Sequence, residues 1–273
     1  MNKVLHIILI SLFSITIFSC AKDTDEDETT TTTTTTTKSY VSVGDSGTIL
    51  TSSDDGTSWN SMTSGTSKLL NEVTYGNSIF VTVGYGGTIL TSSVNETTWN
   101  DRSKTKRLWG ATYANSTFTV VGNSGTIYTS SDGTTWTSRT SGTSKYLNGV
   151  TYGNSTFVTV GISGTILTSQ DNGTTWTSKT SGTTNELWGV TFGNNTFVAG
   201  GESGTISTSS DGITWTSRTS GISDGLWGIT YGNSIFVTVS YVGEIILTSS
   251  DGISWTSRSS GTTAILNDVT YKE

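Results

Sequence analysis

Residues 147–180, LNGVTYGNSTFVTVGISGTILTSQDNGTTWTSKT, decide the fold, because close variants of this stretch recur along the chain. Four short segments within it are rich in β-branched and aromatic residues, and Gly, Asn or Asp residues lie between them. This pattern predicts four β-strands separated by tight turns, LNGVTY, TFVTVG, GTILTS and TWTSKT. We refer to them as strands A, B, C and D of one repeat unit.

The repeat unit has a period close to 40 residues. Successive marker tryptophans are separated by 40, 37, 40, 39 and 40 residues, and they are Trp59, Trp99, Trp136, Trp176, Trp215 and Trp255. A period of about 40 residues with four strands per unit is typical of propeller blades. The sequence therefore predicts an all-β fold, a six-bladed β-propeller of four-stranded blades that spans residues 39–273.

The two ends of the repeat array predict how the ring closes. The first unit begins with strand B at Tyr40 and lacks a strand A, whereas the chain finishes on a strand A sequence at residues 265–271. We expect the C-terminal strand to complete the first blade, because a closed ring leaves no unpaired edge between its first and last blades.

The N-terminal segment resembles a bacterial lipoprotein leader. Residues 1–19 contain Lys3 followed by an apolar stretch, and the sequence Ile17-Phe18-Ser19-Cys20 resembles a lipobox, whose cysteine is acylated. Residues 20–38 hold an acidic cluster and a run of threonines, which predicts a lipidated, disordered tether. We expect anchoring in the cell envelope, at the outer membrane or cell surface; an ordinary signal peptide with an incidental cysteine is the alternative.

Composition excludes several function classes. The formal net charge of −7 opposes binding to nucleic acid, which is a polyanion. The only histidine, His6, and the only cysteine, Cys20, both precede the predicted propeller. Triads with a catalytic histidine, Cys/His zinc sites and disulfides are thus excluded from that domain, and we predict neither a metal nor a cofactor.

The turn between strands C and D resembles the Asp-box, S-x-D-x-G-x-T-W, of BNR-repeat propellers, as residues 52–59 and 169–176 illustrate. The wider repeat is similar to the WD40/YVTN/BNR-like proteins related to photosystem II stability factors. In that family the Asp-box is a structural device of the turn, with its tryptophan packed between blades. The resemblance implies this role for Asp54, Asp132, Asp171, Asp211 and Asp251.

BNR propellers include sialidases, which use convergent arginines. The arginines that follow the marker tryptophans fall on predicted D strands of separate blades, so we expect no sialidase site and no enzyme. One carboxyl pair stands out, because Glu72 and Asp268 take the third position of strand A, where the other units have glycine. The pair would share a cation, divide acid and base roles, or simply be solvated at the channel mouth.

The B–C and D–A connections should lie on one face, and there the units stop repeating. The predicted ligand-binding positions on these connections are Asp45, Tyr85, Glu202, Tyr241 and Tyr146. In strand A, Trp109, Trp188 and Trp227 take a slot that elsewhere holds asparagine. These indoles would stack on a sugar, anchor a protein, or fill space between blades.

These observations predict an anchored, non-enzymatic propeller that binds a protein partner through its variable face. A carbohydrate-binding propeller is the alternative, favoured if the three strand A tryptophans are exposed. A glycoside hydrolase is the less favoured alternative, because it requires Glu72 and Asp268 to face each other with a raised carboxyl pKa.

Overall fold

The structure is a computed structural model that describes residues 6–9, 40–93 and 98–271. The described residues form six antiparallel sheets of four strands each, which we number as blades 1 to 6 in chain order. This arrangement confirms the predicted six-bladed β-propeller.

The strands follow one another within each blade. Blade 1 contains β1 (His6–Leu9), β2 (Tyr40–Val43), β3 (Ile49–Ser52) and β4 (Asn60–Met62); blade 2 contains β5 (Leu70–Gly76), β6 (Ile79–Gly84), β7 (Ile89–Ser93) and β8 (Asn100–Asp101). Blade 3 contains β9 (Leu108–Ala114), β10 (Thr117–Gly122), β11 (Thr126–Ser130) and β12 (Thr137–Arg139); blade 4 contains β13 (Leu147–Gly153), β14 (Thr156–Gly161), β15 (Thr165–Ser169) and β16 (Thr177–Thr180). Blade 5 contains β17 (Leu187–Gly193), β18 (Thr196–Gly201), β19 (Thr205–Ser209) and β20 (Thr216–Thr219); blade 6 contains β21 (Leu226–Gly232), β22 (Ile235–Ser240), β23 (Ile245–Ser249) and β24 (Thr256–Ser259).

The A–B turns explain why the sequence forms these hairpins. In blade 4, Tyr152 pairs with Phe157 across a turn whose two central residues, Asn154 and Ser155, have φ values of 44° and 57°. Two successive positive φ values are those of a type I′ turn, which suits the twist of an antiparallel pair, and asparagine tolerates them.

Short 3₁₀ turns connect strands B and C in five blades, at Asp45–Gly47, Tyr85–Gly87, Asn123–Gly125, Ile162–Gly164 and Glu202–Gly204. The last residue of each turn is glycine for a reason that Gly164 illustrates. Its φ is +64°, and a Cβ there would overlap the carbonyl oxygen of Thr183 in the D–A connection. The B–C turns and D–A connections are therefore in contact on one face of the propeller.

The hydrophobic core lies between neighbouring blades. Between blades 2 and 3, one cluster joins Val81 and Ile89 of blade 2 to Leu108, Phe118 and Trp136 of blade 3. The corresponding phenylalanines, Phe118, Phe157, Phe197 and Phe236, are all fully buried. Truncating such a phenylalanine to alanine typically costs about 3–5 kcal/mol, so the repeated Phe and Trp positions hold the ring together.

The closure of the ring differs from the prediction in one strand. The inner position of blade 1 is taken by β1, whose residues His6–Leu9 pair antiparallel with Tyr40–Val43. The edge of β2 can accept only one strand, and residues 265–271 therefore form no ladder with it. They instead lie against β21, where Tyr271 covers Gly232 as Tyr231 covers Gly193 in the preceding pair of blades.

Apart from His6–Leu9, the predicted leader and tether, including Cys20, lie outside the described residues. The turn of unit 2 at residues 94–97 also lies outside them. In the described part of the chain, no helix has the length and apolar character needed to cross a membrane.

Candidate functional site

A cavity of about 520 Å³ opens where the first strands of blades 2 to 6 meet residues 267 and 268. Its volume falls within the range of about 300–1,000 Å³ that is usual for ligand pockets. The cavity is built mainly from strand A positions and from the connections that precede them, so side chains from several blades converge on one space. This convergence makes the channel mouth the candidate site.

Glycines form most of the narrow part of the cavity, at the third position of strand A. A Cβ on Gly110 would lie 2.8 Å from the Asn148 carbonyl oxygen, and one on Gly189 would lie 2.6 Å from that of Trp227. At these two glycines the neighbouring inner strands approach too closely to leave room for a side chain. The two units that differ place Glu72 and Asp268 at this level, and both carboxyls line the cavity.

The two carboxyls interact electrostatically. Burial raises the pKa of Glu72 well above its ordinary value, and the charge of Asp268 raises it further, while a hydrogen bond from the Val73 N–H, at 3.1 Å, opposes the shift. The structure thus brings the sequence-predicted pair into one site. Sharing a cation and dividing acid and base roles are both chemically compatible with this arrangement.

Aromatic rings line another side of the cavity. The ring centroids of Trp188 and Trp227 lie 5.8 Å apart, and Tyr241 packs edge-on against Trp227 at 4.9 Å. Trp227 is 36% exposed, and Trp188 is half-buried. Gly225 makes room for the Trp188 indole, because a Cβ there would overlap the ring. These two tryptophans are therefore accessible to a ligand, and neither is a core residue.

Trp109 lies in a different environment. The Arg107 guanidinium stacks 3.5 Å from its ring centroid and 5.0 Å from that of Tyr85, a cation–π arrangement. The Trp109 indole N–H donates to Asn123 Oδ1 at 2.6 Å. Burial lowers the pKa of Arg107, and the stack fixes its position. Trp109 and Arg107 thus pack against each other in the wall of the cavity.

The asparagines of the same strand A slot are engaged in packing between blades. Asn71 donates to the Leu108 carbonyl at 2.6 Å, and Asn148 donates to the Leu187 carbonyl at 2.9 Å and to Glu186 Oε1 at 3.0 Å. Each amide therefore links its own blade to the next one. Trp188 and Trp227, in contrast, present partly exposed rings to the cavity.

The remaining predicted site residues are divided between the cavity and its surroundings. Tyr146 lines the cavity and is 42% exposed, whereas Tyr85 and Tyr241 contact it through Arg107 and Trp227. Asp45 and Glu202 lie outside the cavity lining. Glu202 instead accepts a hydrogen bond of 3.4 Å from the Glu186 backbone N–H, on the same face.

Sequence reasoning did not single out Arg107 as a site residue. The available signal was the pair Lys106-Arg107, the one D–A connection with two adjacent cations. It also missed Gly225, where other units carry a larger residue before strand A.

The C–D turns lie on the opposite face, with the A–B turns. In blade 4, Asp171 accepts hydrogen bonds from the Ser169 hydroxyl at 2.7 Å and from the Thr175 N–H at 2.9 Å and hydroxyl at 2.6 Å. These bonds lower its pKa to about 2. The indole N–H of Trp176 donates to the Gly173 carbonyl at 2.9 Å. Similar side-chain contacts are made by Asp54, Asp132, Asp211 and Asp251.

The D strand cations are distributed around the outside of the ring. Arg139 of β12 and Arg218 of β20 donate to threonine hydroxyls of the adjacent C strands, at 2.8 and 2.9 Å. Within the described residues, no cluster of three or more His, Cys, Asp or Glu side chains is arranged to hold a metal ion.

No protein-family model and no curated protein matches the sequence. Among solved structures, the chain is similar to YCF48 from Cyanidioschyzon merolae, with 14% identity, a TM-score of 0.64, and 83% of this chain and 82% of that chain covered. It is also similar to a YCF48 bound to a D1 peptide (17% identity, TM-score 0.63, 80% and 77% covered) and to a streptogramin B lyase (12%, 0.63, 71% and 69%). At these identities the similarities show the fold alone, and that fold is a β-propeller.

Proposed function

We propose that this chain is a non-enzymatic binding module that takes a peptide segment of a protein partner into the cavity at its channel mouth. The observation that carries the proposal is the cavity itself, in which side chains that vary between the units, such as Tyr146, Trp188 and Trp227, project from a repeated frame that includes the strand A glycines. Loops and variable positions on a rigid scaffold commonly carry recognition. The YCF48 structure with a bound D1 peptide supports the idea that a propeller of this shape can bind a peptide.

The lining of the cavity suits a peptide. Trp188, Trp227 and Tyr146 offer partly exposed aromatic surface, of the kind that is enriched among residues dominating binding energy at protein interfaces. Glu72, Arg107 and Asp268 offer charged groups within the same space. A few polar groups on an otherwise apolar wall fix the orientation of a ligand and give specificity.

The N-terminal sequence suggests where in the cell this module would act. We infer from the lipobox-like residues 17–20 and the acidic, threonine-rich segment after them that a lipid on Cys20 anchors the propeller at the outer membrane or cell surface. A tether that buries no apolar surface would let the propeller reach partners away from the membrane. Radiolabelled palmitate incorporation, compared between the wild-type chain and Cys20→Ala, tests the anchor.

Selection from a random peptide library against the purified full chain tests the proposed function. We expect peptides that bind the wild-type chain and lose at least about tenfold in affinity against the double variant Trp188→Ala and Trp227→Ala. The matched control is Ile213→Ala with Ile253→Ala, which removes two side chains that are 46% and 45% exposed on the opposite face. Failure to select any peptide, or equal loss in both folded variants, would contradict the proposal.

Carbohydrate binding is the second candidate, and the accessibility of Trp188 and Trp227 favours it. Indole faces stack on sugar rings, and the same double variant distinguishes the two candidates. Glycan-array binding that the folded variant loses would identify a lectin-like propeller. Release of reducing sugar from a bound glycan, abolished by Glu72→Gln, would instead support the glycoside hydrolase.

A further inference from the structure

We propose that the cavity recognises a cationic side chain, a lysine or an arginine of the bound peptide, with Glu72 and Asp268 as its counter-charges and the Trp188–Trp227 pair as its aromatic wall. The inference rests on the proposed function for its peptide and adds the chemistry that would select it.

The charge of the cavity favours a cation. Its charged lining consists of three carboxyls, those of Glu72, Glu186 and Asp268, and one guanidinium, that of Arg107. Arg107 is stacked between Tyr85 and Trp109 in blade 3 and its neighbouring turn. Glu186 is hydrogen-bonded to Asn148. The lining therefore carries a formal excess of negative charge, which raises the local concentration of cations.

The carboxyl pair supplies the specific contact. Glu72 of β5 and Asp268 of the C-terminal segment both line the cavity, where Asp268 lies against Gly228 of β21, and they interact through their charges. Two carboxylates held close together repel each other, and a cation between them relieves this repulsion. The Val73 N–H engages one oxygen of Glu72, and a carboxylate has about four lone-pair sites, so the group retains capacity to accept hydrogen bonds from an ammonium or guanidinium.

The aromatic wall suits the stem of such a side chain. Lysine and arginine bury their methylene stems on apolar surfaces while their charged heads remain with polar partners. The Trp188 and Trp227 rings, 5.8 Å apart and inclined by 48°, form a surface of this kind in the same cavity as the carboxyls. Tryptophan is also the best aromatic partner for a cation.

Peptides that differ at one position test the inference on the full chain. The peptides recovered by the library selection are resynthesised with lysine, arginine, norleucine, citrulline or glutamate at each position in turn, and dissociation constants are measured. We expect one position at which lysine or arginine binds about tenfold tighter than its neutral counterpart, equivalent to about 1.4 kcal/mol. The combined variant Glu72→Gln and Asp268→Asn should lose this preference and bind the cationic and neutral peptides with nearly equal affinity.

The matched control is Asp45→Asn, which removes a carboxylate from the same face but outside the cavity. It should keep the preference for the cationic peptide. Tighter binding of the neutral or acidic peptide, or a preference that survives in the combined variant, would overturn the inference while the proposed function stands.

If no peptide binds, a small cation distinguishes failure of the proposed peptide binding from failure of the inferred cation site. Agmatine, which carries a guanidinium and an ammonium group, is titrated into the full chain while the indole N–H signals of Trp188 and Trp227 are followed by NMR. Shifts that the combined variant abolishes would support the cation site although the proposed function has failed. Signals that do not move would overturn both.

Discussion

At the scale of single residues, Glu72 is the side chain whose environment is most costly to its charged form. Burial and the neighbouring charge of Asp268 raise its pKa above the ordinary 4.5, and the other charged groups of the cavity are Arg107 and Glu186. The folded protein thus holds this proton more tightly than the unfolded chain. The protonated Glu72 carboxyl therefore contributes its full share to the free energy of unfolding below about pH 4.5. That contribution is lost as the pH rises through the pKa of the folded state.

We therefore expect Glu72→Gln to unfold at a higher temperature than the wild type at pH 7.5 and at nearly the same temperature at pH 4. A gain of 1 kcal/mol corresponds to about 2–4 °C in a domain of this size. Thermal unfolding followed by circular dichroism at both pH values measures the difference. The control is Glu202→Gln, an exposed carboxyl on the same face. A stabilisation that is equal at both pH values would contradict the assignment of strain to the charge.

Candidate site residues could be predicted from the sequence only at positions where one repeat unit differs from the others. Glu72, Asp268 and the strand A tryptophans stood out because glycine or asparagine occupies those slots elsewhere. Their convergence on one cavity depends on the spacing of the inner strands, which no single unit encodes. The stack of Arg107 on Trp109 also requires a side-chain rotamer, and sequence does not specify one.

At the scale of elements, the C–D turns of blades 1, 3, 4, 5 and 6 are each stabilised by an aspartate. Asp171 accepts three hydrogen bonds from Ser169 and Thr175, and they hold its pKa at about 2. The charged form is favoured in the folded state, so its stabilising effect is full above about pH 3.8 and is lost as pH falls toward 2.

We expect Asp171→Ala to lower the free energy of unfolding by about 1–2 kcal/mol at pH 7, the usual cost of losing such hydrogen bonds. Urea unfolding at pH 7 and pH 2.5 tests this, and the difference from the wild type should shrink at the lower pH. Asp224→Ala removes a carboxylate from a D–A connection and serves as the control. A loss no larger than that of the control would mean that the turn does not depend on the carboxylate.

At the scale of the whole molecule, the repeat made the fold predictable. A blade is defined by four strands, by turns at Gly and Asn, and by one marker tryptophan about every 40 residues, and the six marker tryptophans give the number of blades. The closure was less predictable, because β1 and residues 265–271 are both candidates for the same edge of β2. The sequence of either segment alone does not decide which of them pairs with β2, because the outcome depends on whether the other segment is present.

This competition leads to a prediction about the chain that starts at residue 38. Without β1, the backbone N–H and C=O groups on the inner edge of β2 have no ladder partner, and an open edge of this kind favours pairing with a nearby strand. Asp268 and Tyr271 already lie over Gly228 and Gly232 of β21, as strand A residues do between other blades. We expect residues 265–271 to pair with β2 in the shortened protein, completing blade 1.

Amide hydrogen exchange at residues 265–271 should then be slower in the shortened protein than in the full chain. The chain spanning residues 38–264 should also unfold at a lower temperature than the chain spanning residues 38–273, because it lacks the strand that completes blade 1. Equal exchange rates in the full and shortened chains would mean that the C-terminal segment does not close the ring.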